Sequence, residues 1–253
     1  MLAALDGGEW DLLVIGGGAT GLGVAVDAAA RGYRTLLIEQ RDFAQGTSSR
    51  STKLIHGGVR YLKQGNLALV LEALQERGRL YRNAPHLVED LSFVVPRYRW
   101  WEGPFYGIGL KLYDRLAREL SFAPSRLLDP AATAARIPNV ETDHLLGGVL
   151  YHDGLFDDAR MAVTLARTAA AAGATLLNYV RVTGLLKEGE AVCGVEAVDE
   201  ESGRAYALRA RAVVNATGIF ADQVRALDQA NPAPLVAPSQ GVHLVLDRAF
   251  LPG

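Results

Sequence analysis

The chain has 253 residues, of which 49% are hydrophobic, and a formal net charge of -2 at pH 7. This length suits one large or two modest domains, and the charge argues against binding nucleic acid through a basic surface. The single cysteine, Cys193, rules out an internal disulfide framework and favours a reducing compartment.

Neither a targeting segment nor a membrane-spanning segment is predicted. The N-terminal stretch MLAALDGGEWD contains acids and no basic residue, unlike a signal peptide or an Arg-rich transit peptide. The apolar runs are all shorter than the roughly 20 residues that span a bilayer. We therefore expect a cytoplasmic protein.

The first elements form a predicted strand–helix–strand unit. The run DLLVIGGG, from Asp11 to Gly18, is typical of a buried strand. The Ala-rich stretch from Ala19 to Gly32 predicts a helix with Gly32 as its stop. A second buried strand is predicted from Tyr33 to Glu39.

Helices and strands alternate further along the chain. Apolar spacing predicts helices from Asn66 to Tyr81 and from Phe105 to Leu120, with a strand from Leu91 to Pro96 between them. A further helix should begin at Asp157 or Asp158 and run to Gly173. Beyond it, ATLLNYV and RVTGLLKEG predict strands, and a hairpin turning at Ser202-Gly203 precedes a buried strand, Ala212 to Ala216.

A glycine motif, Gly16-x-Gly18-x-x-Gly21, joins the first predicted strand to the first predicted helix. Glycines permit a tight turn and close approach to a pyrophosphate, which the helix N-terminus attracts. Glu39 follows Gly21 by 18 positions, near the ~20 expected for an acid that binds a ribose hydroxyl. The alternative is a glycine turn beside a surface acid. The context favours a dinucleotide with an unphosphorylated ribose, which is FAD or NAD rather than NADP.

Two features favour FAD over NAD. The block GTSSRSTKLIHGGVRYL, from Gly46 to Leu62, has neither a helical nor a strand period, and its hydroxyls suit a second phosphate and a ribityl chain. The segment VVNATG, from Val213 to Gly218, ends a buried strand in Ala-Thr-Gly, the usual second signature of flavoproteins with two dinucleotides. On its own, Ala-Thr-Gly could equally be an ordinary strand-to-helix turn.

Six segments together resemble FAD-dependent glycerol-3-phosphate dehydrogenases of the bacterial aerobic and mitochondrial type. They are DLLVIGGGATGLGVAVDAAARG, DFAQGTSSRSTKLIHGGVRYL, RWWEGPFYGIGLKLYD, DGLFDDAR, VVNATG and PSQGVHLVL. The resemblance covers nearly the whole chain in order, and TSSRSTKLIHGGVRYL is its most specific part. Members of this family are about twice as long, so the chain corresponds to their N-terminal half and should carry an incomplete site.

The resemblance implies a reaction and its partners. The reaction is oxidation of sn-glycerol 3-phosphate to dihydroxyacetone phosphate by hydride transfer to FAD, with electrons passed to a quinone or, in some relatives, to oxygen. A peripheral contact with the inner face of the plasma membrane and a homodimer are further expectations, whereas no metal is expected. The alternatives are a related FAD-dependent oxidase acting on an amine or amino acid, and a flavin-binding fragment without activity.

The resemblance also assigns residues to FAD. Those expected to face phosphate, ribityl or ring atoms are Thr47, Ser48, Ser49 and Lys53. Those expected close to the isoalloxazine are His56, Gly57 and Gly58, since backbone can approach a flat ring only where no Cβ intervenes. The second signature adds Ala216, Thr217 and Gly218.

Three residues are expected to face the substrate: Arg60, Tyr61 and His243. A planar guanidinium suits a phosphate dianion, so Arg60 would hold the substrate phosphate. His243 would bond the substrate hydroxyl or act as the base that removes its proton. The alternatives are a surface salt bridge for Arg60, a structural histidine at His56 and a solvent-facing strand residue at His243.

The expected architecture is α/β, with a Rossmann-like FAD-binding domain around a mainly parallel sheet and part of an α+β substrate or cap domain. The FAD-binding domain should combine residues 8–92 and 150–225, while residues 93–149 and 226–253 should belong to the cap. The stretch from Arg97 to Leu120 permits two interpretations: a membrane-interface segment, or a helix that packs its apolar stripe on the core. We favour the second.

Overall fold

The computed structural model of the chain describes residues 2–6, 8–56, 67–104, 106–107, 123–229, 231–242 and 244–250. The chain divides into two compact units, each made of two separate pieces. Unit 1 comprises Met1–Ser51 and Asp158–Gly241, and unit 2 comprises Thr52–Asp157 and Val242–Gly253. Among the helices in the described part of the chain, none is both long and apolar enough to cross a membrane.

The described strands and helices are numbered in chain order. The strands are β1 (Trp10–Ile15), β2 (Thr35–Ile38), β3 (Leu54–Ile55), β4 (Val88–Arg97), β5 (Arg126–Leu128), β6 (Gly147–Phe156), β7 (Thr175–Leu177), β8 (Val180–Glu188), β9 (Ala191–Asp199) and β10 (Ala205–Asn215). The helices are α1 (Ala19–Ala30), α2 (Leu67–Asn83), α3 (Pro130–Arg136), α4 (Asp158–Ala171) and α5 (Ala221–Arg225).

Unit 1 is built on a sheet whose described strands follow the order β7-β2-β1-β10-β9-β8. The first four of these strands run parallel, and β8, β9 and β10 form an antiparallel meander. Leu13, Val14, Leu36 and Leu37 are fully buried, because the central parallel strands are covered on both faces. The α/β fold with a mainly parallel sheet, predicted from the sequence, is therefore confirmed.

The strand β10 has two different partners along its length. Residues 205–209 pair antiparallel with β9, whereas residues 210–215 pair parallel with β1. The second strand of the predicted hairpin and the predicted strand from Ala212 are therefore parts of one strand, β10. Its second half is less buried than expected, since among the described strands only β1 pairs with it; Val213 and Val214 are half-buried.

Two strands were predicted here, from Ala174 to Val180 and from Arg181 onward, and the observed break falls at residues 178–179, inside the first of them. The backbone of Tyr179 is left-handed, with φ +58°, and its N–H donates to the Arg41 carbonyl at 3.1 Å. Val180 then donates to the Glu39 carbonyl at 2.8 Å. These bonds turn the chain from β7, which is parallel to β2, into the antiparallel β8.

Unit 2 contains an antiparallel sheet in which β6 lies between β3 and β4, with β5 also paired to β6. The helix α2 is anchored by Arg77, whose buried guanidinium donates to Asp153 at 2.6 Å and to the His152 carbonyl at 3.2 Å. Val70 and Leu74 of the same helix are also fully buried. The predicted helix from Asn66 to Tyr81 corresponds to α2, whereas most of the predicted helix from Phe105 to Leu120 lies outside the described residues.

The unit boundaries differ from the domain boundaries expected at residues 92, 149 and 225. The chain instead passes from one unit to the other between residues 51 and 52, 157 and 158, and 241 and 242. The physical reason is hydrogen bonding: β3 and β4 complete their ladders with β6, and not with the parallel sheet.

Candidate functional site

The glycine turn between β1 and α1 is the centre of the candidate site. A Cβ on Gly16, whose φ is +108°, would lie 2.7 Å from the Ala216 carbonyl oxygen, and a Cβ on Gly21 would overlap the Gly16 carbonyl oxygen. A Cβ on Gly18 would meet only Ser48 Oγ, at 3.1 Å. Gly16 and Gly21 are therefore required for packing, whereas Gly18 leaves space in front of the helix.

The N-terminus of α1 is capped by a side chain distant in sequence. Gly18 is the N-cap residue and has no side chain to satisfy the first helical N–H groups. Ser48 Oγ accepts the Ala19 N–H at 2.9 Å. This end of the helix carries a partial positive charge and suits an anion such as a pyrophosphate.

The carboxylate of Glu39 fastens the glycine turn to the end of β2. One oxygen accepts the Gly17 N–H at 2.7 Å and the other accepts the Arg41 N–H at 2.8 Å. Gly17 is itself tightly packed, since a Cβ there would lie 2.6 Å from Phe43 Cδ1 and 2.9 Å from Glu39 Cβ. Sequence reasoning selected Glu39 and missed Gly17, although the consecutive glycines at positions 16 to 18 were a visible signal.

The second signature lies directly against the glycine turn. Ala216 donates its N–H to the Ile15 carbonyl at 2.9 Å and so extends the contact between β1 and β10. Asn215 holds the turn that follows: its Oδ1 accepts from the Thr217 hydroxyl at 2.7 Å, and its Nδ2 donates to the Ala221 carbonyl at 2.9 Å. Gly218 has φ +57°, a left-handed conformation that favours glycine.

A carboxylate on α5 fixes the chain beyond this signature. Asp222 accepts the N–H groups of Val236 and Leu235, each at 3.0 Å, and a bond from Arg225 Nη1 at 2.6 Å. These donors, with the Val236 N–H first, hold the pKa of Asp222 below its ordinary value. The pairing ties residues 235–236 to α5.

The hydroxyl-rich segment is held by a buried acid at the start of α4. Asp158 Oδ2 accepts both the Ser51 N–H at 3.1 Å and the Ser51 hydroxyl at 2.8 Å. Thr47, Ser48 and Ser49 form one 3-10 turn just before Ser51. Neither Ser51 nor Asp158 was predicted as a site residue, because their bond joins positions 107 residues apart.

Comparison with known proteins identifies the family of this chain. Residues 11–252 match the profile of the family described as FAD dependent oxidoreductase. The chain belongs to this family. The prediction of FAD rather than NAD is thereby confirmed.

The curated relatives of this FAD dependent oxidoreductase include mitochondrial glycerol-3-phosphate dehydrogenases. The rat protein is 45% identical over 257 residues, which cover 96% of this chain and 35% of the relative. The Schizosaccharomyces pombe protein is 44% identical, with 98% of this chain and 41% of the relative covered. The resemblance inferred from the sequence motifs is confirmed, and the chain spans well under half the length of these relatives.

Solved structures give the same result for the fold. A glycerol-3-phosphate dehydrogenase from Bacillus halodurans, complexed with FAD, is 33% identical with a TM-score of 0.70, covering 90% of this chain and 38% of that one. An L-proline dehydrogenase from P. horikoshii also has a TM-score of 0.70 at 21% identity, covering 87% of this chain and 56% of that one. The second likeness concerns the fold alone.

The structure brings together the predicted site residues that lie in unit 1 of the FAD dependent oxidoreductase. These are Gly16, Gly18, Gly21, Glu39, Thr47, Ser48, Ser49, Ala216, Thr217 and Gly218. Lys53 and His56 are exposed residues of unit 2, and Lys53 has a left-handed backbone with φ +58°. Gly57, Gly58, Arg60, Tyr61 and His243 lie outside the described residues.

Proposed function

We propose that this protein oxidises sn-glycerol 3-phosphate to dihydroxyacetone phosphate, with FAD as hydride acceptor and a quinone as electron acceptor. The observation that carries the cofactor half is the space at Gly18, in front of the N-terminus of α1, where a Cβ would meet only Ser48 Oγ. The substrate half comes from the curated relatives, which are named glycerol-3-phosphate dehydrogenases.

The residues of unit 1 fit the pyrophosphate and ribose of FAD. A Cβ is absent at Gly18, the position where a pyrophosphate must approach the first turn of α1. Glu39 already accepts two backbone N–H groups, yet a carboxylate has about four lone-pair sites and can also accept ribose hydroxyls. The Ser48 hydroxyl, the acceptor for Ala19, stands at the edge of the same space.

The remaining assignments extend the proposal toward the flavin ring and the substrate. Lys53, His56, Gly57 and Gly58 would line the ring side of FAD, which supplies a hydride acceptor when bound. Arg60 would hold the substrate phosphate, with Tyr61 beside it. The hydroxyl proton on substrate C2 must also leave, and His243 would hold or accept it.

The proposal also includes an electron acceptor, a location and an oligomeric state. The acceptor is a quinone within the membrane, reached by peripheral contact with the inner face of the plasma membrane, and the protein works as a homodimer. Oxygen as acceptor, or an amine or amino acid as substrate, would instead identify a related oxidase.

The deciding experiment is a visible spectrum of the purified protein, followed by anaerobic addition of glycerol 3-phosphate. The proposal predicts flavin absorbance that bleaches with glycerol 3-phosphate and not with amino acids. Bleaching by an amino acid alone would identify the related oxidase, and flavin that no substrate bleaches would identify a binding module. A colourless protein that takes up no added FAD would overturn the cofactor assignment.

A further inference from the structure

A single buried carboxylate joins two distant parts of unit 1. Asp158 is 3% exposed, and its Oδ2 accepts both the N–H and the hydroxyl of Ser51. Ser51 ends the first piece of unit 1, and Asp158 begins the second piece. These bonds therefore lie where the chain leaves unit 1 and where it returns. Burial of a carboxylate is unfavourable unless hydrogen bonds and charge compensate it, so the surroundings of Asp158 indicate its role.

The start of α4 compensates the buried charge. Asp158 is the first residue of this helix, where the helix dipole favours a negative charge. Its Oδ1 accepts the Ala159 N–H at 2.8 Å. One turn later, Ala162 is buried in the hydrophobic cluster that contains Leu22 and Ala25 of α1. The position of Asp158 is thus set by the same core that holds α1.

The hydroxyl-rich segment that ends at Ser51 is fastened at both ends. At one end, the buried Ala44 donates its N–H to the Gly17 carbonyl at 2.9 Å. At the other end, Ser51 is held by Asp158. None of residues 45–50 is buried, so packing contributes little to fixing the backbone between the two ends. The hydrogen bonds at the ends therefore define the path of this segment.

Ser48 lies between these two ends, three residues before Ser51. It belongs to a 3-10 turn, and its Oγ accepts the Ala19 N–H at 2.9 Å. The same oxygen is the atom that a Cβ on Gly18 would meet, so it borders the space proposed for the pyrophosphate. Because the two serines are so close along the chain, a displacement of Ser51 would also displace the turn. The bonds that Ser51 donates to Asp158 therefore help to set the position of the Ser48 hydroxyl.

We propose that Asp158 is a positioning residue for the pyrophosphate of FAD. It acts through Ser51, which holds the 3-10 turn in the place where the Ser48 hydroxyl borders the space at Gly18. The inference deepens the cofactor half of the proposed function and rests on it. Asp158 would not bind the pyrophosphate itself, because like charges repel and both of its oxygens already accept hydrogen bonds.

The test is a titration of the purified flavin-free chain with FAD, ADP and adenosine. ADP carries the two phosphates without the flavin, and adenosine carries neither. We expect Asp158→Ala to weaken the binding of FAD and of ADP at least about tenfold, because binding must then order a loose turn. Adenosine should bind Asp158→Ala and the parent equally, since it makes no use of the turn.

The matched control is Asp199→Ala. Asp199 is also buried in unit 1, and its Oδ2 accepts both the N–H and the hydroxyl of one serine, Ser202. That serine lies in the turn between β9 and β10, which contains none of the predicted site residues. The control thus removes the same kind of bond from the same unit. It should lose stability, yet below its melting temperature it should bind FAD and ADP as the parent does.

Three results would overturn the inference alone: ADP binding by Asp158→Ala that equals the parent's, equal losses for ADP and adenosine, or the same loss in Asp199→Ala. If Asp158→Ala fails to fold, Ser51→Ala decides, because it removes only a hydroxyl. It should weaken ADP and not adenosine, and unchanged ADP binding would refute the inference. A parent that binds neither FAD nor ADP would overturn the cofactor half of the proposed function, and this inference with it.

Discussion

Replacing Gly18 by valine should remove FAD from a protein that still folds. A Cβ at Gly18 first meets Ser48 Oγ at 3.1 Å, and rotation of that hydroxyl relieves the contact. The same change at Gly21 is different in kind, because a Cβ there would overlap the backbone oxygen of Gly16, which rotation of a side chain cannot relieve. Within one motif, a substitution at Gly18 thus tests FAD binding, whereas a substitution at Gly21 tests folding.

The magnitudes follow from the contacts that each substitution breaks. At Gly18, the branched side chain occupies the approach of the pyrophosphate, and one lost charge-assisted hydrogen bond is worth about 1.5–3 kcal/mol. Because each 1.4 kcal/mol is tenfold, FAD affinity should fall about ten- to a hundredfold or more. Loss of the Ser48 cap costs about 1 kcal/mol of stability. At Gly21, overpacking costs typically about 1–3 kcal/mol of stability.

The assay compares flavin content and thermal unfolding of the flavin-free protein for Gly18→Val, Gly21→Ala and a matched control. The control is Gly23→Ala in the same helix, where a Cβ meets nothing within 4 Å. It should keep its flavin and gain about 0.5–1 kcal/mol of stability. Normal flavin occupancy in Gly18→Val would refute the cofactor reasoning, as would equal flavin loss in Gly23→Ala.

Four further substitutions test other contacts. Glu39→Ala should lower the free energy of unfolding of flavin-free protein by about 1–3 kcal/mol, measured in urea, because two backbone N–H groups lose their acceptor; unchanged stability would contradict that role. Folding lowers the pKa of Asp222, so the parent should be more stable than Asp222→Asn by its full amount above about pH 5. This difference in stability should be lost as pH falls below about 4. A difference in melting temperature that persists at lower pH would be evidence against the role of the Asp222 carboxylate. Asp153→Asn should cost about 3–5 kcal/mol by leaving the buried guanidinium uncompensated, and a double variant that also replaces Arg77 by Met should recover part of that loss in urea unfolding. Arg60→Ala should keep its flavin spectrum and lose about ten- to a hundredfold in kcat/KM for glycerol 3-phosphate, while equal losses on glycerol, which has no phosphate, would disprove phosphate binding.

Local sequence patterns predicted the nucleotide-binding start of the fold well. The predicted helix from Ala19 to Gly32 is α1, which ends at Ala30, and Gly32 has the left-handed φ of +86° expected after a helix. Such features depend on a few neighbouring residues, so their spacing in the sequence is enough to predict them. The same holds for the family resemblance, which rests on short segments in order.

Pairing between distant segments could not be predicted in this way. The strand β4 contains the apolar run Phe93, Val94 and Val95, which would also suit a strand of the parallel sheet, yet it pairs along its length with β6 in unit 2. Likewise, nothing near Tyr179 in the sequence shows that its N–H will bond to Arg41 and end β7. The composition of a segment predicts that it forms a strand, but it does not predict which strand pairs with it. The hydrogen-bonded partner lies far along the chain.

The sequence by itself predicted a dinucleotide cofactor, since the glycine spacing and Glu39 are properties of one continuous strand–turn–helix–strand unit. Only the tertiary structure decided which glycine serves which purpose. Gly16 packs on Ala216 and Gly18 faces Ser48, and these neighbours are brought in from other parts of the chain. The physical reason is that a missing Cβ has meaning only in relation to the atoms that would meet it, and folding alone supplies those atoms.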